Sequence, residues 1–270
     1  MKKQGKEMKI AFIGGGVMGE AMVKCILNKK VAAPQDMVVS DVSPSRRELF
    51  SREYGVSTLA DNRRAVENAS LVILAVKPQN LGQVMEEVKA LAPEQLVLSI
   101  VAGTTLSSLC QGLKHSSVIR AMPNMPAQIG EGMTIWTATA ETAQKQKELA
   151  QTILGALGKE MYVSDEKYLG MATALSGSGP AYVFLFIEVL IDAGVHVGLP
   201  RDMAQELVIQ TIFGSTRTVE QTGKHPADLR NMVTSPGGTT TEALLQLEKG
   251  GFRSLLLEAV AAAYKKAERL

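Results

Sequence analysis

Short apolar runs alternate with amphipathic stretches as far as about Val163, and there the alternation ends. KIAFIG (9–14), MVVSD (37–41), LVILAV (71–76), LVLSIVAG (96–103) and SVIRAM (117–122) have the length and apolar continuity of strands. MGEAMVKCILNKK (18–30), SRRELFSREY (45–54), NLGQVMEEVKALA (80–92) and ETAQKQKELAQTILGALG (141–158) are helix-like. Strand and helix in turn imply βαβ units, hence a parallel sheet with helices on both faces. Beyond Val163 the segments 170–194, 200–221, 226–233, 240–250 and 254–270 all show helical spacing, punctuated by Gly or Pro. The expected fold class is α/β. An N-terminal parallel-sheet domain should occupy residues 1–164 and an all-helical domain residues 165–270.

Composition narrows the partners. A chain of 270 residues with 46% apolar and 21% charged side chains has enough material for a sizeable core and reads as a soluble globular protein. Its formal charge is +2, with 29 basic residues interspersed among 27 acidic ones, and 4% of its residues are aromatic. Neither a basic stripe nor a stacking surface is offered to nucleic acid. The lysines of MKKQGKEMKIAFIGGG precede an apolar stretch that stops at Ile13, too short for a signal peptide. AYVFLFIEVLIDAGV (181–195) carries Glu188 and Asp192 on one helical face and falls short of the ~20 apolar residues that span a bilayer. It is expected as a buried or interface helix, with no membrane partner and a cytoplasmic location. Cys25 and Cys110 stand apart from any CxxC spacing and are expected as buried apolar residues in a reducing compartment. His115, His196 and His225 are isolated, and neither an HExxH nor a Ser/His/Asp set occurs, so no metal is expected.

The chemistry concentrates in a few glycine-rich turns. In IGGGVMGEAM, Gly14, Gly16 and Gly19 have GxGxxG spacing between a strand and a helix. That context lets a pyrophosphate approach the backbone at a helix N-terminus and makes the first domain a Rossmann-type dinucleotide binder. The next strand ends in Asp41, which suits the ribose hydroxyls of NAD, beside Ser40, Ser43, Arg46 and Arg47, which suit the 2′-phosphate of NADP. Arg46 and Arg47 read equally well as solvated residues of a helix face. Lys77, Gly103 and Asn124 mark three further turns at strand ends, and together these turns favour a cofactor cleft on one sheet edge. LSGSGPAY (175–182) permits close backbone approach. In TSPGGTTTE, Thr239 and Glu242 have capping-box spacing, and the helix start they mark would favour an anion such as a carboxylate.

Taken in order, IGGGVMGEAM, AVKPQ, IVAGTT, IRAMPNMPA, LSGSGPAY, TSPGGTT and GGFRSLLLEAV make the chain resemble the pyrroline-5-carboxylate reductases, over nearly its whole length. The resemblance implies an oxidoreductase that reduces the small cyclic imine 1-pyrroline-5-carboxylate to L-proline, the last step of proline biosynthesis. It implies NADP (NADPH) as cofactor, with NAD also accepted. Ile13, Gly14, Gly15, Gly16, Val17 and Met18 would contact the cofactor, as would Asp41, Asn62, Ala75, Val76, Lys77 and Ala102, with Asn124 and the SGSGP segment near the nicotinamide. Ser235, Gly238, Thr239 and Thr240 would hold the substrate, Thr240 as the catalytic hydrogen-bonding partner of the ring nitrogen. The family's helical domains interleave in a homodimer, and its dimers commonly assemble into decamers. Asp41 departs from the small polar residue of many relatives, and Asn231 and Met232 replace polar residues common before the loop.

The chemistry agrees. A cyclic imine carries its own proton as an iminium, so hydride delivery needs positioning more than a strong acid. A β-hydroxyacid dehydrogenase shares the GxGxxG start but needs a basic lysine on a helix, and Pro180 to Gly194 contains none. A non-catalytic NADP-binding regulator is the alternative of another class.

Overall fold

A computed structural model describes residues 8–269; the lysine-bearing segment 1–7, read above as no signal peptide, lies outside the described residues. The chain divides into two compact units, one running to Ser178 and resuming at Ala263, the other Gly179–Ala262.

The first unit is built on an eight-stranded sheet. Its elements are β1 (Ile10–Ile13), α1 (Val17–Asn28), β2 (Met37–Ser40), α2 (Pro44–Tyr54), β3 (Ser57–Leu59), α3 (Asn62–Val66), β4 (Leu71–Leu74) and α4 (Pro78–Val88). β5 (Leu96–Ser99), α5 (Leu106–Leu113), β6 (Val118–Met122), β7 (Gly132–Ala138), α6 (Gln144–Gly155), β8 (Gly158–Tyr162) and α7 (Lys167–Ala172) follow, and then a π-helical turn, Thr173–Gly177. The strand order is β3-β2-β1-β4-β5-β6-β7-β8. All neighbours are parallel except β6 and β7, so the sheet is mostly rather than wholly parallel. Both faces are buried. Ile10, Phe12, Leu71, Ile73, Leu96 and Leu98 belong to one core cluster, while the intervening Ala11, Ile13, Val72, Leu74 and Val97 belong to another. Burial on both faces is why these strands read as continuous apolar runs rather than alternating ones.

The thiols differ from each other. Cys25 is buried and donates to the Ala127 carbonyl at 3.1 Å, and burial pushes its pKa up. Cys110 is only half-buried, which corrects the expectation of two buried thiols. His115 is a satisfied core histidine, its Nε2 at 2.7 Å from the Gln95 carbonyl.

The second unit contains α8 (Gly179–His196), α9 (Arg201–Thr222), α10 (Pro226–Met232), α11 (Thr239–Lys249) and most of α12 (Phe252–Ala267). A Cβ on Gly194 would meet the Ala204 Cβ at 2.9 Å, so α8 and α9 are in close contact there. Among its described residues only Ile191 and Ala204 are buried. Phe184, Leu185, Val189, Phe213, Leu255 and Leu257 are exposed. The stretch Lys167–His196, with a mean hydropathy of 1.6 in its most apolar window, is long and apolar enough to cross a membrane by length and composition alone. It is longer than the apolar run 181–195 because helix continues back through LSGSGP, as the helical spacing of 170–194 predicts.

Candidate active site

The strand register lines up Leu59, Ser40, Ile13, Leu74, Ser99 and Arg120 across the sheet, so the turns after β2, β1, β4 and β5 leave from one edge. β1 lies between β2 and β4, and the chain winds outward in opposite directions from it. That reversal is the switch point at which open α/β sheets bind ligands, beyond the carboxyl ends of the strands. Gly14 has φ +103, and a Cβ there would meet the Ala75 carbonyl oxygen at 2.6 Å. No other residue fits between the two strand ends. α1 then starts behind Gly16, an N-cap with no side chain to occupy the first-turn N–H groups, and a Cβ on Gly16 would meet nothing within 4 Å. The result is an open, glycine-lined helix N-terminus of the kind that accepts a pyrophosphate. Ile13 is buried at its base, while Val17 is exposed at its rim.

The end of β2 is tightly wired. The Gly15 N–H donates to Asp41 Oδ2 at 2.7 Å, and the Ser43 N–H donates to Asp41 Oδ1 at 2.8 Å. The Gly15 carbonyl accepts from Arg46 Nε at 2.6 Å, so both sides of this glycine's peptide groups are held from the β2–α2 turn. Arg46 also donates to Glu20 Oε2 at 2.6 Å and lies over the Phe50 ring, while Tyr54 donates its hydroxyl to Glu20 Oε1 at 2.8 Å. Burial would raise the Glu20 carboxyl, but Arg46 and Tyr54 together hold it below the ordinary carboxylate range. Burial and the Glu20 carboxylate push the Tyr54 phenol up to about 12. Arg47 donates to the carbonyls of Asp41 at 2.6 Å and Val42 at 3.0 Å. Neither arginine is therefore a merely solvated residue. One other expectation at this turn needs correction, that of the Ser40 hydroxyl. The Ser40 hydroxyl is buried without a hydrogen-bond partner, and the Ser43 hydroxyl caps α2 by accepting from the Arg46 N–H. Ser40 is buried at the end of β2, on the face opposite Val39, because both faces of the sheet are covered.

The remaining expected cofactor residues are distributed along the edge. Ala75 and Val76 are half-buried after β4, and Lys77 is exposed at the N-cap of α4, where its side chain makes no capping bond. Ala102 precedes Gly103, which has φ +76, in the turn before α5. Asn62 opens α3 and donates to Glu87 Oε2 at 2.7 Å. Asn124 donates to the Ser176 carbonyl at 3.0 Å and accepts from the Met133 N–H at 2.8 Å, which joins the turn after β6 to the π-helical turn. Glu166, not singled out from sequence, accepts from Arg120 at 2.7 Å and from the Leu106 N–H at 2.8 Å. Partners 46 and 60 positions apart leave no local spacing to find them by.

In the helical unit, Ser235-Pro236-Gly237-Gly238 forms a turn closed by Gly238 N–H to Ser235 O at 3.1 Å, with φ +68 at Gly237. Pro then Gly at the two central positions is the type II signature. Gly238, not Thr239, is the N-cap of α11, and no side chain caps this helix, which corrects the capping-box expectation. The extended backbone at Gly238 starts the helix one residue early, and Thr241 instead reaches back to donate to the Ser235 carbonyl at 2.7 Å. Among the described residues the half-buried Thr240 hydroxyl has no partner in the chain, and neither do the N–H groups of Thr239 and Thr240. No three His, Cys, Asp or Glu residues gather as metal ligands among the described residues.

Two family models match the chain: pyrroline-5-carboxylate reductase dimerisation over residues 166–270, and NADP oxidoreductase, coenzyme F420-dependent, over residues 9–103. A pyrroline-5-carboxylate reductase of Synechocystis is 41% identical, the match covering 97% of this chain and 98% of the relative. The solved pyrroline-5-carboxylate reductase of Coxiella burnetii superposes with a TM-score of 0.89 at 38% identity, covering 97% of this chain and 98% of that one. The Plasmodium falciparum pyrroline carboxylate reductase, solved with NADP bound, has a TM-score of 0.89 at 32% identity and 98% coverage of both chains.

Proposed function

The chain belongs to the pyrroline-5-carboxylate reductase family, and from that membership we infer that it reduces 1-pyrroline-5-carboxylate to L-proline with NADPH, NADH also serving. The observation that carries this reading is the length of the likeness, since reductases of that name match 97% of the chain, sheet edge and TSPGGTT loop included. Residues 1–164 hold the dinucleotide and residues 165–270 hold the substrate and the partner chain. Ile13 to Met18, Asp41, Asn62, Ala75 to Lys77, Ala102 and Asn124 form the cofactor side. The α1 N-terminus takes the pyrophosphate, and Asp41 with Arg46 and Arg47 faces the adenosine ribose. Asn62 and Asn124, with side chains committed to Glu87 and Ser176, contribute backbone and shape. Bound NADPH supplies the hydride. The loop residues Ser235, Gly238 and Thr239 bind the substrate carboxylate, for which the unclaimed N–H groups at the start of α11 are suited. Thr240 holds the ring nitrogen with its unclaimed hydroxyl. The substrate brings its own proton, so these residues need supply no acid–base pair.

The helical unit works as a homodimer, a reading supported by its exposed apolar helices and the matched dimerisation region. Dimers of this kind can build the family's decamer, and the protein acts in the cytoplasm. Purified protein given NADPH and the imine should consume NADPH and release proline. Cofactor binding without turnover would favour the non-catalytic regulator instead.

A further inference from the structure

Arg46 offers the guanidinium expected to meet a 2′-phosphate, yet three groups already hold it. Its Nε is bound to the Gly15 carbonyl, one terminal nitrogen is bound to Glu20, and its plane lies 5.3 Å from the Phe50 ring centre. Glu20 is itself fixed by the Tyr54 hydroxyl, so the carboxylate has a second anchor and is not a mobile surface acid. Both members of the ion pair are about three-quarters removed from solvent, with side-chain exposures of 28% and 27%. Asp41 places a second carboxylate on the far side of the same glycine peptide. The charged groups around the turn are thus Glu20 and Asp41 against Arg46, Arg47 and Lys24. Glu20 neutralises the arginine best placed to meet a phosphate.

On the reading of the cofactor edge given above, the geometry points to Glu20 as a positioning residue for cofactor selection: by holding and neutralising Arg46 against α1, it suppresses the advantage NADPH would otherwise have over NADH. A 2′-phosphate at the end of β2 must draw on Arg46, and the energy of that contact is reduced by the pair the arginine already makes. NADH makes no such demand. Arg46 keeps its hold on Gly15 in either case, so the glycine turn itself does not depend on Glu20. Tyr54 acts one step further back, by fixing Glu20.

The test compares equilibrium dissociation constants for NADPH and NADH, read by quenching of protein fluorescence or by calorimetry, in the wild type, Glu20→Gln, Tyr54→Phe and Glu20→Gln/Arg46→Gln. Glu20→Gln keeps the size of the side chain and its ability to meet Tyr54 while removing the charge. It should raise the ratio Kd(NADH)/Kd(NADPH) about 5- to 20-fold, the range of one charge-assisted contact that is partly screened. Tyr54→Phe should move the ratio the same way by a smaller factor, and it preserves the packed ring if Glu20→Gln proves poorly folded. The double variant should return the ratio to within about twofold of wild type, and the Glu20→Gln gain should shrink at high salt, as a phosphate contact would and a packing change would not. An unchanged ratio in Glu20→Gln and Tyr54→Phe, with both nucleotides still bound, overturns the role of Glu20 alone. Failure of the wild type to bind either nucleotide overturns the cofactor edge, and this proposal with it.

Discussion

At Asp41 a single carboxylate does two things, since it closes the β2–α2 turn through Ser43 and the glycine turn through Gly15. Asp41→Ser should therefore shift the ratio of kcat/KM values toward NADPH by removing a charge that repels the 2′-phosphate, and also loosen the glycine turn. Steady-state kinetics with both cofactors separate the two effects, because looser phosphate binding weakens NADH and NADPH alike. A ratio unchanged from wild type would remove Asp41 from the adenosine pocket. Thr240 presents the opposite case, a hydroxyl with no partner among the described residues. Thr240→Val keeps its shape and branching, so folding and NADPH affinity should hold while kcat/KM for the imine falls. One hydrogen bond to a charged group is worth about 1 to 3 kcal/mol, or roughly 5- to 150-fold. Normal turnover at subsaturating imine would place the substrate elsewhere. Asp41 was legible in the sequence as an acid at the end of the strand after the GxGxxG turn, whereas the role of Thr240 came only from the family resemblance of its loop. Glu20 and Tyr54 were not legible, since their meaning lies in an arginine 26 positions from one and 8 from the other across two helices.

Elements were legible where burial was two-sided or caps were local. The central strands β1, β4 and β5 announced themselves because all their side chains are buried. β3 has three residues, and β8 keeps most of its side chains exposed, so neither produces an apolar run of strand length. β7 (GMTIWTA) does have strand-like residues, but its threonines, its own Gly132 and the Gly130 before it give the look of a loop. The start of α11 failed in the other direction. TTTE matches a capping box in spacing, yet spacing does not say where helical dihedrals begin, and Gly238 takes the cap. The stability consequence moves with it. Thr241→Val, which breaks the 2.7 Å bond that ties the first turn to Ser235, should lower stability by about 1 kcal/mol in denaturant titration. Thr239→Ala should fall within about 0.5 kcal/mol of wild type, as a surface change away from any cap. The reverse order of effects would restore Thr239 as the cap.

On the scale of the whole molecule the two units differ in kind. Both core clusters lie in the first unit, where the sheet buries side chains on each face. The second has two buried residues among those described, and it leaves Leu185 at 61%, Phe213 at 56% and Leu255 at 62% exposure. A helical unit with that little interior cannot offset the conformational entropy of ordering its own chain, so its apolar faces require a second surface. The matched dimerisation region makes a second copy of this chain the expected one. Light scattering should thus give at least a dimer at any concentration at which the enzyme is active. Leu185→Glu combined with Leu255→Glu should lower the mass toward a monomer or leave the helical unit poorly ordered, because a charge buried at an apolar interface must be desolvated without a partner. The two core clusters are built from residues of the first unit, so the variant should still bind NADPH with an affinity near that of wild type. Its imine turnover should be lost. A monomer with full activity, in the wild type or the variant, would show that the helices order themselves alone and that the substrate needs only one chain.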